Sequence, residues 1–123
     1  MILLDTNILI EILKGDSKTV EKVKYFNDFL YISSISKMEL FYGALNKAEL
    51  LKIEKFLHLF EAIEISESIS KRATKLIKIY AKSHGLDIPD ALIASCAIEN
   101  NLKLFTYNIK DFKFIENLQL IEV

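Results

Sequence analysis

Short apolar segments alternate with helical patterns along this chain, and that alternation limits the fold more than any other feature. The strand candidates are ILLD (2–5), LYIS (30–33), AIEI (62–65), KLFT (103–106) and LQLIEV near the end. Each is rich in Ile, Leu or aromatic residues and only a few residues long. Between them, SKTVEKVKYFNDF carries Val20, Val23, Phe26 and Phe29 at helical spacing. Further helices are expected from Ser36, from Ala48, from about Ser68 to Ser83, and after Pro89. Strands separated by helices argue for a parallel sheet covered on both faces. The expectation is an α/β fold: a doubly wound, mostly parallel sheet of about five strands flanked by helices. At 123 residues with 51% hydrophobic composition, residues 1–123 make one domain able to bury its own core.

The first strand ends on an acid. Asp5 sits between Ile2-Leu3-Leu4 and Ile8-Leu9-Ile10, so both of its flanks belong in a core. A carboxylate there needs partners to be tolerated. In doubly wound sheets, ligands bind beyond the carboxyl ends of the strands, where strand order reverses. Asp5 occupies such a position.

Three other acids stand at comparable junctions: Glu39 in SISKMELFYG, Asp90 in DIPDALIA and Asp111 in FTYNIKDF. Each has a structural explanation when taken singly. Ser36 through Glu39 matches a capping box. Asp87 suits a helix cap, with Asp90 favourable beside the positive end of the helix dipole. Asp111 suits a turn. In a parallel sheet, however, all these junctions open on one side, and carboxylates gathered there repel. The sole arginine, Arg72, lies on the polar face of a helix, and no basic residue is placed to neutralise them. A divalent cation would. Oxygen donors without nearby His or Cys favour Mg²⁺ or Mn²⁺. Gly43, four residues after Glu39 on the same helix face, would leave room beside that carboxylate; close helix packing accounts for it equally well.

Composition excludes several classes. The net charge of −1, from 16 basic and 17 acidic residues, is no footprint for a general polyanion binder. The single cysteine, Cys96, cannot form an internal disulfide and reads as a reduced core residue. No apolar stretch reaches transmembrane length and the N-terminus lacks the features of a signal peptide, so no membrane and a cytoplasmic location are expected.

The stretches LLDTNILIEIL, SISKMELFYGA, DIPDALIASCA and LFTYNIKDF resemble, in order and spacing, the four motifs of PIN-domain ribonucleases. More narrowly, they resemble VapC-type toxins of prokaryotic toxin–antitoxin pairs. The resemblance runs from residue 2 to about 112. It implies metal-dependent endonucleolytic cleavage of RNA, with Asp5, Glu39 and Asp90 as three acids of the site. The fourth group falls at Asn108 or at Asp111. Since the first is an amide, the charge is assigned to Asp111, with Asn108 supporting. Thr6, Asn7, Ser36 and Thr106 match small polar positions that brace the acids. The same resemblance implies a homodimer and a cognate antitoxin whose helix lies in a hydrophobic groove.

Two surface features bear on RNA and partners. Lys71, Lys75, Lys78 and Lys82 form one stripe of a helix, either a solvated face or a ridge that tracks phosphates. Tyr25, Phe26, Phe29, Phe41, Tyr42, Phe56 and Phe60 are numerous for one small core, and those left exposed would line the groove. His58 and His84 fall outside the motifs. One rival is a phosphoacceptor receiver domain, but the single acid after the first strand and EISESIS after the third do not fit it. A silent interaction module is opposed by the filled acidic positions. A PIN nuclease of RNA maturation remains the alternative to a toxin.

Overall fold

The computed structural model describes residues 1–122. In chain order its elements are β1 (Ile2–Leu4), α1 (Thr6–Leu13), α2 (Ser17–Phe26), β2 (Leu30–Ser33), α3 (Ser34–Tyr42), α4 (Lys47–Leu57), β3 (Glu61–Ile63), α5 (Glu67–His84), α6 (Ile88–Glu99) and β4 (Lys103–Phe105), followed by a 3-10 turn at Ile109–Asp111. The four strands are all parallel, in the order β3-β2-β1-β4. Leu3 pairs with Tyr31 on one side and Leu104 on the other. The chain steps outward from β1 to β2 to β3, then crosses by α5 and α6 to the far side of β1. Strand order therefore reverses between β1 and β4.

Side chains alternate across a strand, and β1 shows it directly. Leu3 joins the core formed with Ile69, Ala73, Leu76, Ile93 and Leu104, under α5 and α6. Ile2 and Leu4 join Ile8, Leu9, Leu40, Ile53 and Phe105, under α1, α3 and α4. A central strand buried on both faces reads as a continuous apolar run, as Ile2-Leu3-Leu4 does. Cys96 is buried among the first of these cores, where burial pushes its thiol up to about 11. Among the described residues no helix is long and apolar enough to cross a membrane.

Several boundaries differ from expectation. Ile8-Leu9-Ile10 belongs to a helix, α1, capped by Asp5 itself. The expected helix from Ser36 starts at Ser34, with Ser33 as its cap: Ser33 Oγ accepts the Ser36 N–H at 3.3 Å. The capping box of Ser36 and Glu39 is therefore absent, and Glu39 lies in the middle of α3. The helix containing Val20 stops at Phe26, because Asn27 turns left-handed (φ 45°), which leaves Phe29 outside it and exposed. Asp87 does cap α6, accepting the Asp90 N–H at 2.9 Å.

The segment LQLIEV forms a single parallel bridge, Leu120 to Leu104, in place of a fifth strand; its last residue lies outside the described range. The three residues of β4 explain this. Lys103 N–H and Phe105 C=O face β1, so only Leu104 turns its backbone outward. Leu104 takes Gln119 C=O and Ile121 N–H at 2.8 and 2.9 Å, and nothing further is available to extend the pairing.

Ser33→Ala should lower the unfolding free energy in urea by about 0.5–2 kcal/mol, the usual cost of removing a serine N-cap. An unchanged midpoint would deny Ser33 the cap.

Candidate active site

The site is built around Asp5, at the point where strand order reverses. Asp5 is buried, and its N–H donates to Phe105 C=O at 3.0 Å, continuing the β1–β4 ladder by one residue. Asp5 Oδ1 accepts the Thr6 N–H at 2.8 Å and Oδ2 accepts the Thr106 hydroxyl at 2.7 Å. A hydroxyl has one proton and two lone pairs. Thr106 gives its proton to Asp5 and accepts from Asn7 Nδ2 at 3.3 Å and from the Asn108 N–H at 3.0 Å. All three capacities are used, which fixes the carboxylate plane. Asn7 Oδ1 also accepts the Tyr107 N–H at 3.4 Å.

A second relay holds Glu39. The Thr6 hydroxyl donates to Glu39 Oε1 at 2.7 Å. Its proton being engaged there, the buried Ser36 hydroxyl at 2.8 Å is the donor to Thr6. Thr6, with Ser36 behind it, thus bonds Glu39, while Thr106, with Asn7 behind it, bonds Asp5. Asn108 contributes its backbone N–H, and its side chain is exposed.

Two of the acids, Asp5 and Asp90, are raised in part by the charges of the others. Burial raises the Asp5 carboxyl above its ordinary value, with smaller contributions from the charges of Glu39 and Asp111; the bonds from Thr106 and Thr6 oppose this. Burial is also the largest cause at Asp90, followed by the charges of Asp87, Asp5, Asp111 and Glu39. Together they push Asp90 up to about 7. Among the described residues none of these acids forms an ion pair. No three acid, His or Cys groups there stand close enough to cage an ion unaided. The arrangement is an open cluster of hard oxygen donors with excess negative charge, which suits a divalent cation completed by water or phosphate oxygens in its donor chemistry. Asp87 is the member that sequence reasoning took only for a cap. Its spacing of three from Asp90 was the available signal.

Gly43 closes α3 with an ordinary backbone (φ −80°). A Cβ there would meet only Glu39 O at 3.5 Å and Leu40 O at 3.8 Å, so no packing helix requires the glycine and the space is open. It lines a cavity of about 620 Å³ between α1, α3 and α4, with Ile10, Leu13, Leu40, Ile53 and Glu39. This groove is aliphatic, contrary to the aromatic groove expected. Phe26, Phe41, Phe56 and Phe60 pack against the core, while the exposed Tyr25, Phe29 and Tyr42 come from different elements and do not line the cavity.

The lysine stripe is not gathered with the acids. α5 and α6 form an antiparallel pair, tied by Arg72 and Glu99 at one end and by the short connection through Asp87 at the other. Lys71, Lys75, Lys78 and Lys82 are exposed along α5; Lys71 pairs with Glu67 at 3.2 Å, and only Lys82 lies near the start of α6. His84 stacks on Phe114 with centroids 4.3 Å apart, away from the cluster.

The raised Asp90 carboxyl fixes the sign of a pH dependence. Its value is about 7 when folded against an ordinary 3.8, so the folded state holds that proton more tightly. The corresponding stability is present below pH 4 and is lost as pH rises toward 7. Without metal, Asp90→Asn should therefore gain stability relative to wild type as pH rises from about 4 to 7, then hold level. Urea unfolding in EDTA across that range checks it. A simple helix-start carboxylate gives the opposite sign, with the variant the less stable protein at pH 8.

A PIN domain family model matches residues 2–116. Ribonuclease VapC10 of Mycobacterium tuberculosis is 33% identical, over 97% of this chain and 91% of the relative. Ribonuclease VapC19 of the same species is 30% identical, over 97% and 98%. Among solved structures, VapBC2 from Rickettsia felis bound to a DNA fragment from its promoter superposes with a TM-score of 0.83 at 34% identity, covering 98% of both chains. A toxin–antitoxin complex from Klebsiella pneumoniae gives 0.82 at 30% identity, over 99% and 97%. The chain belongs to the PIN-domain family and, within it, to the VapC group.

Proposed function

We propose that this protein is the toxin of a toxin–antitoxin pair, a metal-dependent endoribonuclease acting through Asp5, Glu39, Asp90 and Asp111. The observation that carries the reading is a set of acids at the strand-order reversal with no ion pair among the described residues, whose charges add to burial, the largest cause, in pushing Asp90 up to about 7. Bound among them, Mg²⁺ or Mn²⁺ supplies the Lewis acidity that a phosphodiester hydrolysis needs. The chain's own part is positioning. Thr106 and the Thr6 N–H orient Asp5, and the Ser36–Thr6 relay aims Glu39. The Asp87 cap seats Asp90 at the start of α6, and the 3-10 turn delivers Asp111. No histidine or nucleophilic side chain is needed.

The partners follow from the surfaces beside these acids. The aliphatic groove with Glu39 in its wall suits an apolar segment of the antitoxin, with a basic side chain reaching the carboxylate. The exposed Met38 and Tyr42, lining a hollow with Ile35 and Pro89, suit a second copy of the chain. RNA flanking the cut would meet the lysine stripe at Lys82, with Lys71 and Lys75 toward the far end of α5. A cytoplasmic location goes with an RNA substrate.

Purified protein should cut RNA with Mg²⁺ or Mn²⁺ and stop in EDTA. Asp90→Asn should fall to background cleavage. It should also be the more stable protein in EDTA at pH 8 and the less stable one in saturating Mg²⁺, because only wild type gains the full stabilisation from binding. Full cleavage in EDTA, with contaminating nuclease excluded, would refute the metal mechanism.

A further inference from the structure

The loop that carries Asn108 and Asp111 is held from two sides, and only one of them belongs to the acid cluster. On the first side, Asn7 of α1 grips Thr106 and the Tyr107 N–H. On the second, the Tyr107 side chain reaches away from the acids to α2, where its hydroxyl lies 2.6 Å from Thr19 Oγ1. Thr19 is wholly buried, and its Oγ1 is also 2.6 Å from Asp16 Oδ2. Proton counting sets the direction. Asp16 caps α2 through the Thr19 N–H, and its carboxyl lies below the ordinary value, first because of the Thr19 hydroxyl bond, so it accepts. Thr19 has one proton and gives it to Asp16. The Tyr107 hydroxyl is therefore the donor to Thr19. The ring is fixed as well, by an edge contact with Phe105 at 5.6 Å and by Lys22 Nζ 5.0 Å from its centroid.

We infer that Tyr107 is a positioning residue: its hydroxyl, donating to Thr19, sets where the turn bearing Asn108 and Asp111 stands relative to Asp5. This rests on the reading of Asp111 as the fourth acid of the site. Tyr107 is bracketed by the two residues that connect it to the chemistry. Thr106 bonds Asp5 directly, and Asn108 C=O accepts the Asp111 N–H at 3.0 Å, opening the 3-10 turn. A shift of the Tyr107 backbone would be shared by both acids. The bond from Tyr107 to Thr19 spans 88 residues of sequence, so it ties the final motif to α2, an element outside all four motifs.

The test compares wild type with Tyr107→Phe, Thr19→Val and the double variant, all near-isosteric changes that spare the ring and the backbone cap. Mn²⁺ binding is read without RNA from the paramagnetic resonance signal of the free ion; kcat and KM are read on an RNA oligonucleotide. Each single variant should weaken Mn²⁺ binding and lower kcat by about two- to tenfold, the range of one net hydrogen bond. KM for RNA should hold. The double variant should be no worse than either single one, because both remove the same contact. Additive losses overturn the inference, as does a lowered urea midpoint with wild-type Mn²⁺ affinity and kcat, which would leave the contact purely structural. If Tyr107→Phe behaves as wild type while Tyr107→Leu raises KM, the ring serves as a stacking platform and the inference is wrong. Wild type that neither binds Mn²⁺ nor cuts RNA brings down the active-site reading together with this one. Variants that match an active wild type bring down this one alone.

Discussion

A buried carboxylate at the end of the central strand is the constraint on which this structure turns. Leaving Asp5 without hydrogen-bond partners would cost several kcal/mol. Its own strand can offer none, because Leu3 and Leu4 are apolar. The partners come from opposite directions: the Thr6 N–H at the start of α1, and the Thr106 hydroxyl at the end of β4. The second exists only because the chain crosses the sheet through α5 and α6 and sets β4 beside β1. The crossover that makes the fold doubly wound is thus what makes Asp5 tolerable. The strand-order reversal and the acid site are one feature.

The cluster works against the stability of the fold. Burial first, and then the charges of Asp87, Asp5, Asp111 and Glu39, raise Asp90 to about 7 with no ion pair to offset them among the described residues. Like charges held together in this way are a strain that the two apolar cores on either side of the sheet must offset. The arrangement agrees with a site completed from outside. A cation or a basic side chain of a partner would relieve the same repulsion, and the two would compete for the same carboxylates.

The large elements were legible because their signals are long or repeated. β1, β2 and β4 lie within a residue of the sequence reading, and α5 and α6 are amphipathic or apolar over many residues. What escaped was decided by single atoms or by tertiary context. The helix α1 reads as an apolar run because Ile8, Leu9 and Ile12 all face the core within two turns. Ser33 and Ser36 are both serines near the start of a helix, and nothing local tells which hydroxyl meets the free N–H. The fifth strand failed because β4 has one outward-facing residue. The acids at the junctions were legible one by one; the parallel sheet, which opens these junctions on one side, was legible from the alternation of strands and helices. Asp87 was hidden by having a sufficient structural role as a cap, and Tyr107 was hidden because its partner, Thr19, lies in a segment with no motif.

Helix α3 shows how one short element can serve several surfaces. Successive residues on a helix point about 100° apart. Met38 therefore faces the exposed apolar hollow, Glu39 the acids, and Leu40 the aliphatic groove and the core beneath it. Glu39 also forms part of the wall of both the groove and the hollow. Ser33 sets where α3 begins, and a start displaced by one residue would rotate all three positions together. A ligand that moved the Glu39 carboxylate would be felt in the groove and in the hollow without any long pathway, because the three surfaces share one rigid helix of nine residues. A partner in the groove and the hydrogen bonds beside Asp5 thus meet at a common side chain, and what the partner does to it depends on the charge presented to Glu39. A basic group would pair with the Glu39 carboxylate and draw it toward the groove; an apolar one would leave it to its bond from Thr6.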